Sequence, residues 1–112
     1  MKESSLYASC QLAASEVGAR LLRNNCGMLK DARGAYVRYG LGTGSSDLIG
    51  FKAVIITPDM MGQKIARFLA VEVKRPGKVP TAEQHQFLTA VANAGGLAFW
   101  ATSADEVREK LK

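Results

Sequence analysis

Between Phe68 and Val73 the chain runs Phe-Leu-Ala-Val-Glu-Val, apolar at every position but one. Such a run is strand-sized and far short of the ~18 apolar residues that a membrane-spanning helix requires. It shows no polar–apolar alternation, so it predicts a central β-strand covered on both faces. The exception, Glu72, constrains the fold further. An isolated carboxylate in an apolar strand is costly unless it is paired or holds a cation. Lys74 follows two residues later, and the strand period of two puts Glu72 and Lys74 on one face and Val73 on the other. An acid and a lysine so spaced usually form a surface ion pair. In this apolar run a solvated face is harder to argue.

The flanking segments predict the surrounding elements. Leu48 to Thr57 and Ile65 to Lys74 read as two antiparallel strands joined by the turn-rich Pro58-Asp59-Met60-Met61-Gly62. That pairing would set Asp47, at the start of one strand, beside the end of the other. Ser4 to about Ala19 reads as a helix, with Leu6, Cys10, Ala13, Val17 and Leu21 forming an apolar stripe. Glu3 falls near the centre line of this stripe and Glu16 on its flank, so Glu3 is the more interesting acid. Gly27 to Gly44 predicts short irregular strands and turns. Pro80-Thr81-Ala82-Glu83-Gln84 fits a capping box, with Thr81 as N-cap and Gln84 at N3. Gln84, Phe87, Leu88 and Val91 share one face of the helix that follows, while His85 and Gln86 point elsewhere. Gly95-Gly96 ends this helix. Leu97 to Ala101 then forms a strand, and Ser103 with Glu106 caps a last helix running to Leu111. The order predicts an α/β fold, a mixed central β-sheet flanked by α-helices on both sides.

With 112 residues, 47% hydrophobic and 22% charged, the chain fits a single globular domain over residues 1–112. The beginning Met1-Lys2-Glu3-Ser4-Ser5 lacks the apolar core of a signal peptide, which predicts a cytoplasmic protein. Cys10 and Cys26 have neither CxxC spacing nor a histidine cluster, so they read as reduced, buried thiols and not as zinc ligands. His85 is a weak candidate for a catalytic base. The formal net charge of +5 favours polyanionic partners, nucleic acid above all.

Asp47 and Glu72 together give a pair of hard carboxylates, which implies a bound cation and suits Mg²⁺ or Mn²⁺. The Val73 main-chain carbonyl offers a third oxygen, and Glu3 could reach the metal through water. Lys74 can orient a water or hold charge developing on a phosphate. Gln84 is explained by its place in the cap alone, but its position on the apolar face of its helix also allows a second role at the site. Lys30, Arg33, Arg38, Lys52, Lys64, Arg75 and Lys78 are the basic residues nearest this site in sequence or by hairpin pairing. Gly42-Thr43-Gly44-Ser45-Ser46 lacks the Gly-Lys-Ser/Thr of a P-loop, so its glycines read as tight turns that leave room for a nucleic-acid backbone.

Gly44-Ser45-Ser46-Asp47-Leu48-Ile49-Gly50, then Ala70-Val71-Glu72-Val73-Lys74, then Thr81-Ala82-Glu83-Gln84 resemble the VRR-NUC domain, a branch of the PD-(D/E)xK nuclease superfamily. The resemblance spans nearly the whole chain. Glu3 before the first helix and Arg23-Asn24-Asn25 after it are similar to stand-alone phage and bacterial members. The resemblance implies a restriction-endonuclease-like core with Asp47 and Glu72 as metal ligands, Lys74 as catalytic residue and Gln84 as the glutamine of the following helix. Ser46 stands where the superfamily's name has proline, a change that removes no ligand. The implied activity is a Mg²⁺-dependent endodeoxyribonuclease, similar to Holliday-junction resolvases in being a bare core that works as a homodimer. A twofold dimer supplies the two symmetric cuts that a four-way junction needs. The alternatives are flap or other branched DNA, RNA, and a non-catalytic nucleic-acid-binding module of the same fold.

Overall fold

Helix α1 (Glu3–Glu16) ends where Val17 and Gly18 turn back on the carbonyls of Ala14 and Ser15. Gly18 takes φ +82°, a conformation open to glycine and costly for other residues. The structure, a computed structural model, describes residues 3–112, with side chains from Ser5 onward. It divides into two compact units, one ending at Lys52 and the other beginning at Ala53.

In the first unit the chain leaves Gly18 directly into β1 (Ala19–Arg23), a strand that the reading of the sequence did not anticipate. β1 pairs antiparallel with β4 (Leu48–Lys52), from Ala19 opposite Lys52 to Arg23 opposite Leu48. Gly50 sits at the closest approach, where a Cβ would collide with the Arg20 carbonyl. Between these strands, β2 (Gly27–Lys30) and β3 (Tyr36–Tyr39) form an antiparallel hairpin. The Asp31 carboxylate closes its loop by accepting from the amides of Arg33 (2.8 Å) and Ala35 (2.9 Å).

Helix α1 packs on β1, but not through the expected stripe. Leu6, Cys10, Ala13 and Val17 are exposed, and the half-buried line is Tyr7, Gln11 and Ala14. Polar ties decide this rotation. Gln11 donates to the Leu21 carbonyl at 3.1 Å, and the Arg23 guanidinium lies 3.9 Å from the centre of the Tyr7 ring. Leu21 belongs to β1 and not to the helix.

The second unit holds the apolar core. β5 (Leu69–Val73) is followed by α2 (Ala82–Asn93) and β6 (Leu97–Ala101), and β5 and β6 pair parallel, with Glu72 opposite Trp100. This is the β-α-β arrangement that parallel pairing requires. Ala70, Leu88, Val91 and Ala101 are buried. Thr81 and Gln84 form the expected capping box in full. Ser103 caps α3 (Ala104–Lys110) by accepting from the Glu106 amide, while the Glu106 carboxylate takes the Thr102 hydroxyl at 2.7 Å.

The pairing scheme corrects the expected one. β4 finds its partner in β1 and β5 in β6, so Leu48–Thr57 and Ile65–Lys74 do not make a hairpin. Both are also shorter than expected, with residues 53–68 between them. That connection is too long for a tight hairpin loop, and it carries its own 3₁₀ turn at Pro58–Met60. Among the described residues the strands form three two-stranded sheets, not one central sheet. Nor is β5 covered on both faces: Ala70 is 8% exposed, whereas Leu69 and Val73, on the strand's other side, are 48% and 72% exposed. What holds, among the described residues, is a mixed α/β chain with three helices. No helix among the described residues is long and apolar enough to cross a membrane.

Candidate active site

In the second unit, β5 presents Glu72 and Lys74 on the same side as the buried Ala70. Lys74 Nζ lies 3.6 Å from Glu72 Oε1, with the two side chains only 21% and 31% exposed. This is a partly shielded pair, not the solvated surface bridge that an acid and a lysine so spaced most often make. Gln84 lines the same cavity as Glu72, a space of about 380 Å³ walled by Phe87 and Leu88. Its Oε1 also accepts from the Thr81 amide at 2.8 Å, so the capping role and the site-facing position coexist. Glu83 lines this cavity too, a carboxylate that sequence reasoning passed over because the capping box explained its neighbourhood. His85 is exposed.

Val73 was expected to offer its main-chain carbonyl. The Lys74 amide donates to the Ala101 carbonyl at 3.0 Å, and the Leu97 amide to the Phe68 carbonyl at 2.9 Å. In a parallel ladder this alternation turns the even-numbered residues of β5 towards β6. The Val73 carbonyl therefore faces the strand's other edge, which has no strand partner among the described residues.

In the first unit, Asp47 ends the loop that leads into β4, and its side chain is 67% exposed. Asn24, the one buried polar residue there among those described, builds that loop. Its amide donates to the Asp47 carbonyl (2.9 Å), and its side-chain nitrogen donates to Ser45 Oγ (2.8 Å) and to the Ser46 carbonyl (2.9 Å). Its Oδ1 accepts from the Leu41 amide at 3.1 Å. Arg23 Nη1 donates to the Asp47 carbonyl at 3.1 Å and stands 4.0 Å from the carboxylate. Sequence reading had noted Arg23-Asn24-Asn25 only as a resemblance. No local pattern marks Asn24 as a hub, because its partners lie some twenty residues away in the chain.

Cys26 adjoins this network, with Sγ 3.3 Å from Ser45 Oγ and 3.4 Å from Asn24 Oδ1. The Ser45 hydroxyl first and the Gly42 backbone next hold its thiol below the ordinary value; they outweigh desolvation, with smaller help from the Leu41 backbone and the Asn24 side chain. Both cysteines were expected to be buried; Cys26 and Cys10 are instead exposed.

The other expected residues are placed as follows. Glu3 lies in the first turn of α1, but its side chain falls outside the described residues. Glu16 is exposed. Lys30, Arg33 and Arg38 all lie on the β2–β3 hairpin or its loop, exposed, with Lys30 5.4 Å from the Tyr36 ring. Lys52 closes β4 at the end away from Asp47, about 16 Å along the strand, so it does not adjoin that acid. Lys64 was placed by a hairpin that does not form, and it sits exposed in the connection between β4 and β5. Arg75 and Lys78 flank the turn after Lys74, closed by the Lys78 amide on the Arg75 carbonyl at 3.0 Å.

Among the described residues, neither unit gathers three acidic, histidine or cysteine side chains in one group. Each holds one of the two expected metal carboxylates, Asp47 in the first unit and Glu72 in the second. Carboxylate and carbonyl oxygens are hard donors, and few protein ligands suffice for a hydrated Mg²⁺, so the donor chemistry fits such an ion. The family model of the VRR-NUC domain matches residues 7–105, nearly the whole chain. No curated protein and no solved structure matches it.

Proposed function

The chain belongs to the VRR-NUC domain family, a nuclease-type domain, and from that premise we propose that it is a metal-dependent, structure-specific DNA endonuclease of the PD-(D/E)xK kind. The observation that carries this reading is the shielded Glu72–Lys74 pair beside Gln84 on β5, within a chain of nuclease family. An ion pair kept for stability alone gains little at such a place. A carboxylate and an ammonium aimed at a phosphodiester have a use there.

Asp47 and Glu72 would hold Mg²⁺ or Mn²⁺, with the Val73 carbonyl as a third oxygen and Glu3 reaching the ion through water. When bound, such an ion polarises a phosphate and makes a bound water more acidic. Lys74 neutralises charge that develops on the phosphoryl oxygens, as a point charge can without bidentate geometry. Gln84 orients the water or the phosphate by hydrogen bonds from its amide. The basic residues of the β2–β3 hairpin and of the Arg75–Lys78 turn contact the nucleic-acid backbone. Four-way junctions are the proposed substrate and a homodimer the working form, because two symmetric cuts need two sites related by a twofold axis. Flap and other branched DNA form the nearest alternative class.

The test is incubation with Mg²⁺ or Mn²⁺ and labelled junction, flap, duplex, single-stranded DNA and RNA. Junction cleavage is expected, lost on adding a chelator. Asp47→Ala, Glu72→Ala and Lys74→Ala should each lower cleavage by about a hundredfold or more while circular dichroism stays unchanged. Near-normal turnover in any of the three would show that the residue is misassigned. Cleavage of no substrate by the parent chain would leave a nucleic-acid-binding module.

A further inference from the structure

A second cavity, of about 460 Å³, opens in the first unit beside Asp47. Its walls divide by hydrogen bonding. Asn24, Ser45 and Cys26 are spent on one another and on the loop backbone. Arg38, Asn25 and Thr43 also line the cavity, and their side chains make no hydrogen bond or ion pair among the described residues. All three can donate protons. Of the charged groups on the wall, Arg23 and Asp47 neutralise each other, which leaves the Arg38 guanidinium uncompensated.

A cavity of unspent donors around one unpaired guanidinium selects an anionic guest with several acceptor oxygens. The volume exceeds what a bare phosphate needs and falls within the range for small-ligand sites. The Tyr39 ring and Met28 supply an apolar wall against which a sugar or base can lie.

We propose that this cavity is a nucleotide subsite: it holds one phosphate of the bound strand, flanking the phosphate that is cut, on Arg38, Asn25 and Thr43. Its guest rests on the nuclease reading, but the cavity lies wholly within the first unit and involves no metal. The subsite fixes the strand's register relative to Asp47, which phosphate contacts can do without reading sequence. Arg23, already beside Asp47, stands at its rim.

The experiment measures binding of a fluorescein-labelled branched DNA in the presence of EDTA, so that failure of the nuclease reading and failure of the subsite are separate results. Arg38→Gln is compared with Arg108→Gln, a change of equal charge on α3 at a residue paired with Asp105. Arg38→Gln should weaken binding about tenfold and lower the salt slope by about one, with unchanged thermal unfolding, whereas Arg108→Gln should change little. Asn25→Ala and Thr43→Ala should weaken binding less. In a second series each phosphate near the branch is replaced in turn by neutral methylphosphonate. One position should cost the parent chain the same factor and cost the Arg38→Gln chain nothing. Equal loss in the two arginine variants, or additive loss at every methylphosphonate position, would overturn the subsite. Thymidine 5′-monophosphate serves as the free-nucleotide arm. If its binding depends on Arg38 while that of the branched DNA does not, the cavity takes a free nucleotide and the strand assignment fails.

Discussion

Asn24 holds together the loop that presents Asp47, and it does so with both its main chain and its side chain. A buried amide with its partners satisfied is stable, but the same partners left unpaired are costly. Asn24→Ala should therefore lower unfolding stability by about 2–3 kcal/mol, read from urea titration. Under the nuclease reading it should also reduce cleavage more than substrate binding, because Asp47 loses its position while the basic residues stay. A purely structural Asn24 would instead give unchanged turnover per folded molecule. Cys26 gives a second test of the same network. Its folded pKa lies below the unfolded one, so the fold favours the thiolate: this contribution is present above the unfolded value and lost as pH falls through the folded one. The thiol is exposed, so reactivity is the better measurement. Alkylation of Cys26 by iodoacetamide should reach its half-maximal rate below pH 9.0, the ordinary thiol value, and Ser45→Ala should move that midpoint upward. A profile identical in folded and urea-unfolded chains would show that the hydrogen bonds to Cys26 do not form in solution.

Among the elements, the β1–β4 pair depends most on a single residue. Gly50 faces the β1 backbone so closely that an added methyl group would meet the Arg20 carbonyl. Gly50→Ala should therefore destabilise the chain by about 1–3 kcal/mol, the usual range for overpacking, with the shift read from thermal unfolding. An exposed glycine without such a neighbour, Gly34 in the β2–β3 loop, is the control for general glycine effects, although its φ of +83° adds backbone strain of its own. Stability unchanged in Gly50→Ala would show that β1 and β4 stand further apart than described. The elements read best from sequence were those with end signals in their own residues. Thr81 and Gln84 start α2, Gly95 and Gly96 precede β6, and Ser103 starts α3. In each case the hydrogen bonds concerned span three to five residues, so a local pattern carries them. α1 was harder. Its apolar stripe named one face, and the bonds of Gln11 and Arg23 to distant partners selected another.

For the whole molecule, the net charge of +5 and the exposed cations of the β2–β3 hairpin predict binding dominated by phosphates. Affinity for DNA should fall steeply with salt, by roughly tenfold or more between 50 and 200 mM if several phosphates are neutralised. Sequence preference should be weak, since none of the candidate DNA-binding cations, Lys30, Arg33, Arg38, Lys52, Lys64, Arg75 and Lys78, lies on a helix that could enter a groove. With Ca²⁺ replacing Mg²⁺ to hold DNA uncut, a dimeric resolvase should prefer a four-way junction to linear duplex of equal length. Anisotropy titrations of both across one salt series check this, and equal affinity throughout would remove junction resolution while leaving the nuclease chemistry in place.

The residue types of the candidate site were legible because they are anomalies against their surroundings. Glu72 interrupts an apolar run, Lys74 follows at the strand period, and Gln84 sits on the apolar side of a capped helix. Sequence by itself therefore determined the α/β composition, the ends of α2, β6 and α3, and which side chains of β5 share a face. Partner choice lay beyond it. Whether β4 joins β5 or β1 depends on which edge gains the better ladder, and hydrophobic pattern is nearly blind to that difference. Tertiary structure alone decided that β1 takes β4, that β6 takes β5, and that a buried Asn24 ties residues 41–47 together. Each of these outcomes rests on hydrogen bonds between residues far apart in the chain, whose energy exists only once the chain has closed the loops between them.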